Sequence, residues 1–421
     1  MEKVIIYQNK HWEKPYKNLF FRDAFEDLKR NLSLKQIQVI QGIRRSGKSS
    51  LFKMMINHLS QKVDAQEILY INFDDPFFIP YSDEPTRLYD IVQVAKKLTQ
   101  KNVRYLFLDE IQNINGWQRY VKSVYDSNEF EKIFVTGSNS TLLDKDVAVL
   151  LSGRYISLQV YPLSFQEILK IKKIDSYLKL AKESHMALKI VDDMMHFGSF
   201  VEIFEQDEEF KLEILKSYYQ SILLKDCVSN YNIRDIKSFQ ELSYYLISNV
   251  ASLYSYSSLS KAIGIHDQSV KEYVGYLQSS YLAYELKQFS FSLKEQNSSK
   301  KKIYFSDNGF ISLSFKFSSN YGKLFENLVF TELFKRGYEC YFYNKNYECD
   351  FIAKKDDKLV AIQVCYELNE QNKKREFDGL KKLKFDVDKK LIITYNQQEE
   401  IDKDGIEVVS FWSYFSGFVN S

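Results

Sequence analysis

The sequence predicts an α/β fold whose N-terminal part is a parallel β-sheet. Three apolar segments, at 37–40, 103–108 and 132–136, have the length and composition of buried strands. The first is followed by a glycine loop and a helical pattern, the second by two acidic residues and the third by small polar residues. Because ligands collect at the carboxyl ends of parallel strands, we expect these three strand ends to form one site.

The glycine loop from Gly42 to Ser49 fits the pattern G-x-x-x-x-G-K-[ST], and apolar residues at helical spacing follow it. Such glycines let backbone N–H groups close around phosphate oxygens, and the helix N-terminus adds the positive end of its dipole. We expect Lys48 to reach the β- and γ-phosphates of ATP and Ser49 to ligate Mg²⁺. The predicted nucleotide-binding residues are Gly42, Ile43, Arg44, Arg45, Ser46, Gly47, Lys48, Ser49 and Ser50.

The second strand ends in Asp109 and Glu110, about 60 residues beyond the loop. Asp109 is predicted to hold Mg²⁺, and Glu110 is predicted to be the base that activates the attacking water. An acidic residue directly after the strand Asp favours hydrolysis over transfer to a small acceptor. The pair Asp74–Asp75, after a further strand at 68–73, is interpreted as a structural cap.

Two more polar positions are candidates for the same reaction. Ser138 or Asn139, after the third strand, could sense the γ-phosphate or position water, and a helix cap explains them equally well. Arg154 stands where a helix gives way to the next strand. Its guanidinium suits a transferred phosphate, also that of a neighbouring subunit, while a plain surface ion pair stays open.

Length and composition bound the rest of the interpretation. At 421 residues the chain is long enough for two to four domains, and its net charge of +2 gives no global case for nucleic acid. Its four cysteines form no C-x-x-C pair, so reduced thiols are expected. A signal peptide and a membrane span are not expected, and a cytoplasmic location is predicted.

Several of these motifs together resemble one family, the bacterial and archaeal AAA-family ATPases with a C-terminal domain of unknown function. The resemblance rests on the arginine-bearing glycine loop, Leu-Asp-Glu-Ile-Gln112, Gly116-Trp117, Thr136-Gly-Ser-Asn-Ser140, Leu-Ser-Gly-Arg154 and Tyr161-Pro-Leu-Ser-Phe165. Within it, Arg154 looks like the arginine finger and Ser138 sits at the sensor position. The resemblance implies a nucleotide site completed between subunits, and hence a homo-oligomer.

The middle of the chain has a helical pattern from Phe165 to about Val250, interpreted as a lid over the nucleotide. Next comes a helix-turn-helix pattern, with Ser257 and Asp267 as predicted caps and Gly264 as the turn. A hairpin with lysines in its connection (Lys294, Lys300 and Lys301) completes a winged-helix pattern, and a similar module occurs in the family. DNA binding and protein contact both stay open for this module.

The last hundred residues show the order helix, hairpin, strand, helix, strand, which is that of the restriction-endonuclease-like fold. Glu326 and Asp350 resemble the carboxylates of such a core, but Gln363 stands at the partner position and Cys365 at the Lys position. Because a thiol cannot supply a fixed positive charge at pH 7, a Mg²⁺-dependent nuclease is the third choice, and a degenerate domain is expected.

The sequence therefore predicts an α/β P-loop NTPase sheet with a helical lid, followed by a winged helix and a restriction-endonuclease-like domain. The expected boundaries are 1–162, 163–250, 251–315 and 316–421. ATP hydrolysis with Mg²⁺ would move the lid, the winged helix and the C-terminal domain, on DNA or without it. The alternative is a nucleotide-gated DNA- or protein-binding switch with little turnover.

Overall fold

The structure is a computed structural model that describes residues 1–143, 145–314, 321–345, 347–399, 401–402 and 404–418. The chain divides into two compact units, Met1–Tyr161 and Pro162–Ser421. The predicted boundaries at 162 and 250 stay predictions, and the one at 315 lies outside the described residues.

The first unit contains a parallel sheet of five strands in the order β2-β3-β4-β1-β5. This arrangement confirms the predicted parallel sheet and brings the carboxyl ends of β1, β3 and β4 side by side. The strands are β1 (Ile37–Gln41), β2 (Ile68–Asn72), β3 (Tyr105–Asp109), β4 (Lys132–Gly137) and β5 (Tyr155–Gln159).

Side chains of this sheet are buried on both faces. On β3, Leu106 and Leu108 belong to one core cluster and Phe107, between them, belongs to another. Phe107 stacks on Phe134 at 4.3 Å and meets Phe52 edge-on at 5.0 Å. Such pairs add about 0.5–1.5 kcal/mol beyond area burial, so they fix the helix after the glycine loop on the sheet. The helices of this unit are α1 (Glu2–Gln8), α2 (Asp23–Arg30), α3 (Lys48–Leu59), α4 (Arg87–Thr99), α5 (Trp117–Asp126) and α6 (Lys145–Leu150), and 3₁₀ turns lie at Lys10–Trp12, Asn31–Ser33, Ala65–Glu67, Pro76–Tyr81, Ile111–Asn113 and Ser140–Leu143.

The second unit begins with helices, as the pattern after Phe165 predicts. Ser164 and Glu167 form a capping box, in which each side chain accepts from the other's backbone N–H, and this fixes the start of the first helix. The helices are α7 (Phe165–Ile171), α8 (Tyr177–Lys182), α9 (Ser184–Phe197), α10 (Val201–Phe204), α11 (Glu208–Ser221), α12 (Ile236–Ser248), α13 (Tyr256–Ile263), α14 (Asp267–Ser279), α15 (Leu293–Ser298), α16 (Asn308–Ile311), α17 (Tyr321–Lys335), α18 (Glu370–Lys381) and α19 (Phe411–Phe415), and Ile222–Ser229 is a π-helical segment.

Two sheets follow in this unit. The first is an antiparallel pair of β6 (Ala283–Lys287) and β7 (Lys301–Phe305). The second is a mixed five-stranded sheet in the order β12-β11-β10-β9-β8, antiparallel from β8 to β10 and parallel from β10 to β12. With α17 before it and α18 between β10 and β11, the predicted order of helix, hairpin, strand, helix and strand is confirmed. Its strands are β8 (Glu339–Asn344), β9 (Glu348–Lys355), β10 (Lys358–Cys365), β11 (Lys389–Thr394) and β12 (Ile406–Ser410).

The helix-turn-helix pattern is present as α13 and α14, but its caps differ from those predicted. Ser255, not Ser257, accepts the capping hydrogen bond, and His266 precedes α14, so Asp267 is its first helical residue. Gly264 makes the turn at φ +81° as predicted.

The lysines of the hairpin connection differ more from the prediction. The connection contains the helix α15, and Lys301 lies in β7 as a buried residue. Its ammonium donates to the carbonyls of Asn297 (3.2 Å) and Ser299 (3.0 Å). The prediction that Lys301 lies in the hairpin connection is therefore wrong, and its ammonium faces carbonyls rather than solvent. Lys294 and Lys300 are exposed.

Gly198 occupies a position that only glycine fits. Its φ is +74° and its ψ −158°, and an added Cβ would lie 1.6 Å from Oδ1 of Asp307. That carboxyl is buried and accepts from the backbone N–H groups of Ser199 (2.7 Å) and Gly309 (2.9 Å).

We expect Gly198→Ala to lower the free energy of unfolding by about 3 kcal/mol or more, because it adds a clash to backbone strain. Gly264→Ala is the matched control, since Gly264 also has positive φ (+81°) but nothing lies within 4 Å of an added Cβ. That control is expected to cost about 1–2 kcal/mol. Urea unfolding of both variants measures the difference, and equal losses would contradict the role given to Asp307.

No helix in the described ranges combines the length and apolar character that a membrane crossing requires.

Candidate active site

The glycine loop joins β1 to α3 and owes its shape to three unusual backbone conformations. Gly42 has φ +147°, Arg45 has φ +71° and Gly47 has φ +99°. A Cβ on Gly42 would lie 2.0 Å from the carbonyl oxygen of Val160, so the chain after β5 passes too close for any other residue. Gly47 is the N-cap of α3, and the loop therefore ends at the helix terminus, as predicted.

Lys48 is buried in this loop rather than extended into solvent. Its ammonium donates to the carbonyls of Gly42 (3.0 Å) and Ile43 (3.2 Å) and lies 3.8 Å from Oε1 of Glu110. The hydroxyl oxygen of Ser46 is buried and has no hydrogen-bond partner among the described residues. A buried polar atom without a partner costs about 1–3 kcal/mol, and a ligand's polar atoms would satisfy it.

Arg22, which was not predicted as a site residue, binds the glycine loop from a position before β1. Its guanidinium is buried and donates to the backbone carbonyls of Ser46 (2.7 Å) and Tyr161 (2.6 Å). The Arg22 Nη1 atom lies 2.9 Å from where a Cβ on Gly47 would be. It precedes β1 by 15 residues outside any motif, so no local signal marks it.

Asp109 ends β3 and is fully buried. The hydroxyl of Tyr70 donates to its Oδ2 at 2.7 Å, Thr136 donates to its Oδ1, and Ser49 also hydrogen-bonds its side chain. Burial and the charge of Glu110 raise the pKa of Asp109, although these hydrogen bonds oppose the shift. The structure therefore brings together Ser49 and Asp109, the two predicted Mg²⁺ ligands.

Glu110 has φ +53° and lies beside Lys48. Its Oε2 accepts from Nε2 of Gln112 at 2.6 Å, and Ser138 also hydrogen-bonds its side chain. Burial acts to raise the pKa of Glu110, but the charges of Lys48 and Arg44 and these hydrogen bonds outweigh it and lower the pKa. The carboxylate is thus ionised at neutral pH, as a base must be.

Thr136 connects the two acidic residues. Its hydroxyl donates to Asp109 and accepts the backbone N–H of Glu110 at 3.0 Å. Thr136, Tyr70 and Gln112 were not predicted as site residues. The only sequence signal that Tyr70 and Thr136 are site residues is that each is a polar residue in an apolar strand, β2 for Tyr70 and β4 for Thr136.

We expect Thr136→Val, which keeps the shape and removes the hydroxyl, to lower the free energy of unfolding by about 1–3 kcal/mol. The substitution takes a hydrogen bond from the buried carboxyl of Asp109. Thr99→Val is the control, since that half-buried hydroxyl only donates to Ala95 O in α4 (3.0 Å) and its loss should change stability by about 0.5 kcal/mol or less. Urea unfolding without nucleotide compares them, and equal stability would argue against the network.

Of the other predicted positions, Arg44 lies in the glycine loop and Arg154 lies at the opposite end of the sheet. Arg44 is 3.7 Å from Asp74, while Asp75 caps a 3₁₀ turn, which confirms its structural interpretation. Arg154 precedes β5 at the amino end of the sheet, opposite the loop, and its guanidinium donates to Asp126 at 2.8 Å. Arg154 therefore takes no part in its own chain's loop site, and its action on a neighbour's nucleotide stays a prediction.

The residues around the loop fit a Mg²⁺-nucleotide. Ser49 and Asp109 supply oxygen ligands, which Mg²⁺ prefers, and the N-terminus of α3 with Lys48 supplies positive potential for phosphates. The sheet order and this glycine loop define the class: the first unit is a P-loop NTPase domain.

Comparisons with known proteins identify a family for the whole chain. A family model described as an AAA domain matches residues 34–169, and two domains of unknown function, DUF8612 and DUF4143, match 188–320 and 321–414. The uncharacterized protein MJ1544 of Methanocaldococcus jannaschii is 38% identical over 92% of this chain and 90% of its own length. An uncharacterized protein of Haemophilus influenzae is 32% identical over 89% of this chain and 92% of its own. The chain belongs to this family of bacterial and archaeal AAA-domain, P-loop ATPase proteins with a C-terminal domain of unknown function.

Solved structures of P-loop ATPases overlap the chain loosely. The Walker-type ATPase PABY2304 of Pyrococcus abyssi has a TM-score of 0.39 and 14% identity over 72% of this chain and 98% of that one. AMPPCP-bound DnaA from Aquifex aeolicus has a TM-score of 0.32 and 19% identity over 61% of this chain and 87% of that one. At these scores the overlap supports no inference about the present chain.

The predicted carboxylate site of the C-terminal domain has a different composition from that expected. Glu326 and Asp350 lie close to the ammonium of Lys302, and Gln363 donates to Glu376 at 2.6 Å. Burial raises the pKa of the Cys365 thiol to about 11, which keeps it neutral. Position 365 therefore carries no positive charge, as predicted. Lys302, on β7, supplies a positive charge to the site instead.

Proposed function

We propose that this protein binds ATP at the loop Gly42 to Ser49 and hydrolyses it with Mg²⁺. Ser49 and Asp109 would hold the metal, which when bound neutralises charge on the phosphates. Lys48 would leave the carbonyls of Gly42 and Ile43 for the phosphate oxygens. Family membership supports nucleotide chemistry, and the contact between Ser49 and Asp109 beside Glu110 is the observation that carries the proposal.

In this proposal Glu110 is the base that deprotonates the attacking water. It directly follows Asp109, the proposed metal ligand, and Ser138, just after β4, hydrogen-bonds its side chain. When Lys48 moves to the phosphates, the charge that most lowers the pKa of Glu110 is drawn away and negative phosphates arrive, so the basicity of Glu110 rises as the substrate binds. This coupling would favour hydrolysis only at an occupied site.

Phosphate release from ATP tests the proposal. The wild-type chain is expected to release phosphate with Mg²⁺ and to stop when EDTA is added. No release in Mg²⁺, with ATP bound, would leave the second candidate, a nucleotide-gated switch with little turnover. One observation favours that candidate: Oε2 of Glu110 is held by Gln112 at 2.6 Å and Oε1 lies near Lys48.

The proposal also includes movement of the helical lid, a homo-oligomer in which Arg154 completes the nucleotide site, and DNA as a partner. On α14, Gln268 donates to Glu272 (2.8 Å), which leaves Lys271 as the basic residue of that face. Protein contact suits this face as well as DNA does. A cytoplasmic location stays a prediction from the sequence.

A further inference from the structure

A buried ammonium lies at the centre of three carboxylates in the C-terminal half of the chain. Lys302 Nζ is 3.2 Å from Glu326, 3.3 Å from Glu348 and 3.7 Å from Asp350, and the Lys302 side chain is 3% exposed. These three acidic residues are called the carboxylate cluster below. The cluster lines a cavity of about 890 Å³ whose wall also carries Lys323.

The local structure explains why a lysine is inside. All five residues of β7 are buried, so Lys302 cannot reach solvent by leaning outward. Tyr304, two residues on and on the same face, donates to Glu326 at 2.6 Å. The carboxyl of Glu326, on α17, thus receives two donors from one strand.

We propose that the ammonium of Lys302 stands where a divalent cation would stand in a carboxylate site, so that the cluster works as an ion-pair latch without metal. The latch joins β7 of the two-stranded sheet to α17 and to β9 of the five-stranded sheet. The ammonium donates a hydrogen bond to Glu326 at 3.2 Å and lies within ion-pair distance of Glu348 and Asp350, so its single positive charge serves all three carboxylates.

A divalent cation and this ammonium exclude each other. Mg²⁺ or Mn²⁺ needs several oxygen ligands at about 2.0–2.3 Å, and the same carboxylate oxygens face Lys302 Nζ. Two positive charges at so short a distance repel each other by several kcal/mol, even at an effective dielectric constant of about 20. With Lys302 Nζ between them, the three carboxylates are not spaced to hold a metal ion, and neither is any other group of three or more His, Cys, Asp or Glu side chains among the described residues. Their oxygens lie 3.2–3.7 Å from Nζ and would have to move inward, into the space that the ammonium fills, to ligate a cation. Metal-dependent cleavage of DNA by this pocket is therefore not expected.

Mn²⁺ titration followed by electron paramagnetic resonance tests the latch on the full-length, nucleotide-free chain. Wild type and Asp350→Asn are expected to bind Mn²⁺ equally, because Asp350 holds no metal. Lys302→Met is expected to gain a Mn²⁺ site that wild type and Asp350→Asn lack. This site should bind Mn²⁺ at least about tenfold more tightly than either of those two proteins does. The site should disappear in the double variant Lys302→Met/Asp350→Asn.

Lys302→Arg is the matched control, since it keeps the positive charge and should gain no Mn²⁺ site. Weaker Mn²⁺ binding by Asp350→Asn than by wild type would overturn the proposal, and so would a folded Lys302→Met without a new site. Circular dichroism establishes folding. If Lys302→Met does not fold, the comparison of wild type with Asp350→Asn decides the proposal alone.

Discussion

Replacing Glu110 with Gln is expected to lower the kcat of ATP hydrolysis by about 10²–10⁴-fold while ATP still binds. The amide keeps the shape of the side chain but cannot accept a proton from water. Lys48 also loses the opposite charge 3.8 Å away, which frees it for phosphates. ATP affinity should therefore stay the same or rise. Phosphate release and equilibrium ATP binding, measured on the same preparation, separate the two effects.

Glu84→Gln is the control for this substitution. Glu84 lies in the same unit, is half exposed and pairs with Arg87 at 3.0 Å. Its loss removes one negative charge without touching the site, so kcat should be unchanged. Full activity of Glu110→Gln would show that another group activates water.

Replacing Lys48 with Ala is expected to weaken ATP binding by about 10–100-fold, because hydrogen bonds to charged groups contribute about 1.5–3 kcal/mol each. The carbonyls of Gly42 and Ile43 also lose their donor, so the loop is less well held before binding. Equilibrium binding of ATP in Mg²⁺ measures the loss.

Lys53→Ala is the matched control, as it removes the same charge one and a half turns further along α3. Its ammonium lies over the ring of Tyr16 at 5.6 Å and not against the loop. Unchanged binding in this variant and weak binding in Lys48→Ala are the expected pair. Equal affinities in both would contradict the assignment of the loop.

The loop and the acidic pair could be predicted because their chemistry is local in sequence. Gly42 to Ser49 is one continuous segment, and Asp109–Glu110 ends a strand whose neighbours are parallel. The carboxyl ends of parallel strands lie at one edge of a sheet, so the two segments were expected to meet, although β4 lies between β1 and β3. The P-loop fold followed from the same pattern.

The residues that hold this site in place could not be predicted in the same way. Tyr70 and Thr136 reach Asp109 from sequence distances of 39 and 27 residues, and each lies in a strand of apolar pattern. Their roles depend on the order β2-β3-β4, which one sequence does not reveal. Arg22 binds the loop by way of backbone carbonyls, which carry no sequence signature.

Lys301 was instead assigned to the wrong element. A run of lysines beside a turn is typical of a solvated surface, and Lys301 was predicted to lie in the connection of the hairpin. The run instead begins a fully buried strand, where Lys301 donates to the carbonyls of Asn297 and Ser299 and Lys302 donates to the carboxylate of Glu326. Those partners lie at the end of α15 and on α17, so only the tertiary structure shows that two ammonium groups can be buried here.

A single-turnover measurement tests most directly whether this site hydrolyses ATP rather than only holding it. Protein in excess binds γ-labelled ATP, Mg²⁺ is added last, and labelled phosphate is followed in wild type and Glu110→Gln. Phosphate is expected to form in wild type after Mg²⁺ is added, while ATP is expected to stay bound and intact in Glu110→Gln. Equal rates in the two proteins, or intact ATP throughout in wild type, would contradict hydrolysis by Glu110 at this site.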